Sequence, residues 1–119
     1  MRDHTSLLAW QEARAVVMAV VELNRAEWKP WIRTMFEQLQ RASLSVQLNI
    51  VEGYGLGGAS FRHHLKIAYG SSLESGEILM LLSESYLKDS ALVTEALQHC
   101  RQCQRLLLGL MRRLGGLRT

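Results

Sequence analysis

The chain has few of the residues that interrupt helices or cross-link small proteins. Its 119 residues include one proline and two cysteines, so neither a proline-rich linker nor a disulfide scaffold is expected. The longest apolar run is the seven residues from Ala15 to Val21, far short of the roughly 20 that a membrane-spanning helix needs. The start carries an acid and no apolar segment, so no secretory signal is expected. We expect one cytoplasmic domain over 1–119, with no membrane contact.

Acidic residues are absent from the last part of the chain. Residues 96–119 carry five arginines and no acid, whereas residues 1–95 carry nine cations and 11 acids. A basic end of this kind is typical of proteins that bind a polyanion. Cations also stabilise the negative end of a helix dipole. The charge alone leaves both interpretations open.

The spacing of apolar residues predicts an all-α protein. Apolar residues recur every three or four positions, and no segment alternates over strand length. Pro30 separates the first two helices, because it lacks a backbone donor. The glycine-rich segment 53–58 is expected to end the second helix, and Ser60 and then Asp89 or Ser90 to cap the third and fourth. We predict an antiparallel up-down-up-down four-helix bundle with helices at about 7–24, 32–53, 60–86 and 90–114.

Patterns that bind ligands in other proteins have a structural explanation here. The glycine-rich segment fits GxGxxG but follows a helix rather than a strand, which favours helix termination over nucleotide binding. Cys100 and Cys103 form a CxxC beside His99, but zinc usually takes four ligands and both cysteines lie on an apolar seam. An intersubunit metal site is the lesser alternative. No Glu-x-x-His pair or nucleophile motif is present, so we expect no enzyme, no metal and no cofactor.

A polar line runs along the second helix beside its apolar residues. The line consists of Arg41, Ser45, Asn49 and Glu52, and its possible partners on the third helix include Ser71 and Glu74. Buried polar groups must be paired, so this line is interpreted as a structural polar network that fixes the register of two helices. The alternative is a functional groove.

Four segments in order resemble one known family. They are LAWQEA at 8–13, QLQRASLSV at 38–46, NIVEG at 49–53 and AYGSSLE at 68–74. The chain resembles the four-helix-bundle family of 23S rRNA intervening-sequence proteins, which includes the accessory variability determinant of diversity-generating retroelements.

The resemblance implies a non-enzymatic protein that forms a ring-shaped homopentamer. It also implies, for the retroelement branch, binding to RNA or DNA and partnership with a reverse transcriptase. A second apolar stripe on the second helix, formed by Leu44, Leu48 and Val51, would then contact neighbouring subunits.

The loop after the second helix departs from the family pattern, because residues 54–61 carry no charge where relatives have an arginine and a Lys-Glu-Phe start to the third helix. We therefore assign nucleic-acid binding to basic residues of the third and fourth helices and of the chain end: Arg62, Lys66, Arg101, Arg105, Arg112, Arg113 and Arg118. The competing hypothesis is a structural scaffold without affinity for nucleic acid, in which these arginines serve the helix dipole and solubility.

Overall fold

The computed structural model describes residues 3–115 as four α-helices with short connections. The helices are α1 (Leu8–Glu27), α2 (Arg33–Leu56), α3 (Gly58–Glu84) and α4 (Ala91–Arg113). Single 3₁₀ turns at His4–Ser6 and Pro30–Ile32 precede α1 and α2. The described residues contain no strand, so the prediction of an all-α protein with four helices is confirmed. Within this part of the chain, no helix is both long enough and apolar enough to cross a membrane.

Successive helices pack against each other in antiparallel order. In α2, Ser45 contacts Ser71 of α3, and Asn49, one turn later, contacts the earlier residue His64. Each helix packs against two neighbours, so that α1, α2, α3 and α4 follow one another around the bundle and α4 closes on α1. This is the arrangement that short connections favour.

The core consists of two apolar clusters, one toward each end of the bundle, and all four helices contribute to both. One cluster contains Leu23, Phe36 and Leu79, and the other contains Ile50 and Leu65, all of them essentially inaccessible to solvent. A cavity of about 10 Å³ lies beside both clusters, close to the smallest volume that holds one water molecule. The core is therefore closely packed along the bundle axis.

The turn between α2 and α3 is shorter than predicted. The helix α2 does not end at residue 53 but continues to Leu56, and Gly53 is buried within it. The reversal takes place at Gly57 and Gly58, whose φ angles are 72° and 57°, a region that glycine enters without steric cost. Because α3 starts at Gly58, Ser60 lies inside the helix, and the prediction that it is the N-cap is wrong.

The other helix ends follow local signals. The helix α1 extends to Glu27, three residues past the expected end, because Pro30 disfavours helix chiefly in the residue before it. The Ser90 hydroxyl accepts a hydrogen bond from the Val93 amide at 3.2 Å, so the prediction of Ser90 as a cap of α4 is confirmed.

Candidate nucleic-acid interface

A chain of hydrogen bonds, here called the polar seam, joins α2 to α3. Its members are Ser45, Asn49, Glu52, His64 and Ser71. The Ser45 and Ser71 hydroxyls lie 2.9 Å apart, and the side-chain Nδ2 of Asn49 donates to the Ser45 carbonyl at 2.9 Å. His64 Nδ1 donates to Asn49 Oδ1 at 2.9 Å, and its Nε2 lies 3.6 Å from a Glu52 carboxylate oxygen. The seam therefore pairs the polar groups that α2 and α3 turn toward each other.

The polar seam differs in three residues from the network expected from sequence. Arg41 and Glu74 are exposed and form no hydrogen bond or ion pair within residues 3–115. His64 belongs to the polar seam, although it was not among the residues predicted from the sequence. It precedes Ser71 by seven residues, or about two helical turns, so helical spacing places both on one edge of α3. That spacing was the signal that could have identified it.

Gly53 brings the end of α2 very close to the start of α3. A Cβ atom built on Gly53 would lie 2.7 Å from His64 Cβ and 3.3 Å from the Phe61 backbone. Real side chains do not approach so closely, so this position requires glycine for a packing reason rather than for a turn. Because Gly53 has no side chain, α2 and α3 can approach each other this closely beside the polar seam.

Five of the predicted nucleic-acid-binding residues lie on one long side of the bundle, which we call the basic side. It is formed by Arg62 and Lys66 on α3 and by Arg101, Arg105 and Arg112 on α4. The three α4 residues are separated by four and seven positions and therefore share one face of their helix, as do the two α3 residues, one turn apart.

Two contacts bring these rows of cations together. Arg62 Nη1 donates to the Gly115 carbonyl at 3.4 Å, just beyond the end of α4. Arg101 Nη2 lies 3.1 Å from the Met80 sulfur on α3. The rows therefore run side by side, because both contacts span the α3–α4 contact.

The two remaining basic residues are placed differently. Arg113 lines a depression with residues 6–9 at the start of α1, so it lies at the α1 edge of α4 and not on the basic side. Arg118 lies outside the described residues. The structure thus groups five of the seven predicted residues.

The opposite pair of helices exposes several apolar side chains. This surface, the apolar side, is formed by Val17, Met18 and Val21 of α1 with Leu44 and Leu48 of α2. Met18, Val21 and Leu48 are each at least half exposed. A groove of about 340 Å³ runs between the two helices. An apolar stripe of this kind is typical of a surface that binds another protein surface.

Cys100 and Cys103 belong to the core. Burial raises the pKa of Cys100 to about 11 and that of Cys103 to about 12, because a thiolate is poorly solvated there. The Cys100 thiol donates to the Ser72 carbonyl at 3.2 Å. Within residues 3–115, no group of three or more histidine, cysteine, aspartate or glutamate side chains is placed to hold a metal ion.

Comparison with known families agrees with the motifs in the sequence. The family model described as 23S rRNA-intervening sequence protein matches residues 5–109. The chain belongs to this family. The match covers α1, α2, α3 and most of α4, which confirms the resemblance seen in the four sequence segments, and it ends before Arg112. No curated protein matches this 23S rRNA-intervening sequence family member.

Proposed function

We propose that this chain is a non-enzymatic nucleic-acid-binding protein and that the basic side is its contact surface. The observation that carries the proposal is the placement of Arg62 against the end of α4, which joins two rows of cations into one surface. Five cations on one side of the bundle attract the phosphates of RNA or DNA without reading their sequence.

Within residues 3–115 the cations of the basic side form no ion pair. The ion pairs among the described residues join Arg25 to Glu22, Arg33 to Glu37, and His64 and His99 to glutamates. None of these involves a residue of the basic side. An arginine already paired with a carboxylate would have to break that pair to bind phosphate. In the described part of the chain, the arginines of the basic side hold only hydrogen bonds to neutral groups, which are the Gly115 carbonyl, the Met80 sulfur and the Gln102 side chain.

Salt dependence tests this proposal. The variant Arg62→Gln, Arg105→Gln, Arg112→Gln removes three cations from the basic side. The control Arg25→Gln, Lys29→Gln, Arg33→Gln removes three exposed cations from the far end of the bundle, so both variants have the same net charge. We expect the magnitude of the log–log slope of affinity against salt to fall by about 2 to 3 units in the first variant, at about 0.7 to 0.9 per lost phosphate contact. Equal slopes in the two variants would refute the assignment.

We propose that the protein assembles as a ring-shaped homopentamer through the apolar side. Support comes from the half-exposed Met18, Val21 and Leu48 beside an open groove, because subunit interfaces bury surfaces of this composition. The variant Leu44→Glu, Leu48→Glu should dissociate the assembly, whereas Leu81→Glu, at an equally exposed leucine on α3, should not. Native mass spectrometry measures the subunit number, and a wild-type monomer at micromolar concentration would refute the proposal.

We also propose that the assembly serves as the accessory partner of a retroelement reverse transcriptase. The family membership and the basic side support this role, because such a partner must hold a nucleic acid beside the polymerase. Co-purification of a reverse transcriptase with the tagged protein, retained by wild type and by the control triple variant, is the expected result. The second candidate function is a scaffold without nucleic-acid affinity, favoured by the apolar side alone, and binding that is absent at low salt would establish it.

A further inference from the structure

A surface groove of about 150 Å³ lies between α3 and α4 beside Arg101. Its apolar lining comes from Leu73, Met80 and Leu97, and Leu73 is about half exposed. Gly76 also lines the groove, where a Cβ atom would lie 3.1 Å from Gln104 Nε2. At about 10 to 15 Å³ of this volume for each water molecule, the groove has room for several waters. We therefore expect it to accept one small planar group and not a helix.

The groove offers both a strong acceptor and a strong donor. Glu77 and Arg101 line it together with Gln104. Within residues 3–115 neither Glu77 nor Arg101 forms an ion pair, although both line the same groove. The Gln104 amide is held in place because it donates to the Ser72 carbonyl at 3.0 Å. A ligand with donors on one edge and acceptors on another can satisfy both charged groups at once.

We propose that this groove binds one unpaired guanine base of a single-stranded RNA. The inference rests on the proposed function, since the RNA backbone would lie along the basic side. Guanine carries the donors N1–H and N2–H₂ on its pairing edge, which match the two oxygens of the Glu77 carboxylate. Its O6 and N7 atoms are both acceptors, and an arginine binds this pair in bidentate fashion.

The other bases do not match this arrangement. Uracil presents carbonyl oxygens on both sides of its single N–H, so one of them would face the carboxylate. Adenine and cytosine each present one amino group beside an acceptor nitrogen. Only guanine places two adjacent donors toward Glu77 and two adjacent acceptors toward Arg101.

The guanidinium of Arg101 lies beside the Met80 side chain, with Nη2 at 3.1 Å from the sulfur. Proteins read RNA sequence mainly in unpaired segments. Within a duplex the pairing edge of guanine is occupied, so the groove accepts only single strands.

The test compares RNA 12-mers of uridine that carry one central guanosine, inosine or uridine. Inosine lacks only the N2 amino group. We expect wild type to bind the guanosine RNA about tenfold more tightly than the inosine RNA, the size of one hydrogen bond to a charged group. A matching DNA oligonucleotide and free GMP show whether the sugar and the flanking backbone are needed.

Two variants separate base recognition from general electrostatics. The variant Glu77→Gln removes an acid near the basic side, so a purely electrostatic surface would bind every RNA more tightly. Base recognition predicts the opposite for the guanosine RNA, which should lose its tenfold advantage. The matched control Glu74→Gln removes an exposed acid one turn away on α3 and should keep the guanosine preference. Arg101→Lys retains the charge but not the planar fork. It should lower the affinity for the guanosine and inosine RNAs alike, toward that of the uridine RNA, while keeping the salt dependence.

The outcomes of this test distinguish a failure of the guanine site from a failure of the proposed function. Salt-dependent binding with equal affinity for the three RNAs would overturn the guanine site and leave the basic side intact. An absence of binding to any RNA at low salt would overturn the proposed function itself. Stronger binding of the guanosine RNA by Glu77→Gln would also overturn the guanine site. The far-UV circular dichroism of each variant shows that it has folded.

Discussion

The contact between α2 and α3 differs in kind from the contact between α1 and α4. Hydrogen bonds run along the first, from Ser71 through Asn49 to His64, and Gly53 brings the backbones close together. The second is mainly apolar, and its side-chain pair His99–Glu12 joins Nδ1 to Oε1 at 2.6 Å. Directional bonds allow one register, whereas apolar packing tolerates small shifts. The α2–α3 contact therefore determines how the bundle is aligned.

The largest effect is expected from adding a methyl group at Gly53. In Gly53→Ala the new Cβ would lie 2.7 Å from His64 Cβ, and the helices would have to separate. We expect a loss of about 1 to 3 kcal/mol in the free energy of unfolding, the usual cost of overpacking. The control Gly55→Ala meets no atom within 4 Å and should stabilise the protein by up to about 1 kcal/mol. Chemical denaturation measures both, and equal values would contradict this account of the α2–α3 contact.

Removal of the Asn49 amide should have the next largest effect. Asn49→Ala deletes the bonds to Ser45 and to His64 and leaves the His64 ring without its acceptor. We expect a loss of about 1 to 2 kcal/mol. The control Asn24→Ala, at a half-buried position on α1, should cost less than about 0.5 kcal/mol. Thermal or urea unfolding provides the values, and a neutral Asn49→Ala would show that the polar seam does not hold the helices together.

High pH should weaken the bundle through the two cysteines. Burial raises the pKa of Cys100 to about 11 and that of Cys103 to about 12, whereas an unfolded thiol ionises near its ordinary pKa of about 8.5. The unfolded state therefore releases protons first, and stability is full below about pH 8.5 and falls as the pH rises toward 12. We expect a loss of about 1 kcal/mol per thiol near pH 9. In Cys103→Ala this pH dependence should be smaller, and an unchanged dependence would contradict the burial of the thiol.

The smallest effect is expected for the ion pair between α1 and α4. A double-mutant cycle with Glu12→Gln and His99→Gln should give a coupling energy of about 0.5 kcal/mol, because both side chains are partly exposed to solvent. Urea unfolding of the four proteins provides it. A coupling as large as the loss at Asn49 would remove the difference between the two contacts.

More of the fold than of the candidate site could be predicted from the sequence. The period of apolar residues is a local property and yields four helices directly. The turn at Gly57 and Gly58 could not be located, because the segment 53–58 offers four glycines and a helix tolerates glycine at a cost of about 1 kcal/mol. Gly53 lies inside α2 and packs against α3. The local sequence does not show this contact between helices.

Spacing within one helix predicted more of the candidate site than any relation between helices. The intervals from Arg101 to Arg105 and Arg112 place the three on one face of α4. Packing between helices decides the rest. Arg62 lies beside the end of α4 because of the way α3 packs against α4, and Arg113 lies on the other edge of α4, beside α1. His64 lies two turns from Ser71 on the same helix, so spacing within α3 could have placed it in the polar seam.

The central claim is that nucleic acid lies on the basic side. Ultraviolet cross-linking of the wild-type protein to RNA, followed by mass spectrometry of the linked peptides, locates the contact directly. The account predicts cross-links in peptides from the start of α3 and from α4, around Arg62, Lys66, Arg105 and Arg112. Cross-links confined to peptides of α1 and α2 would contradict it.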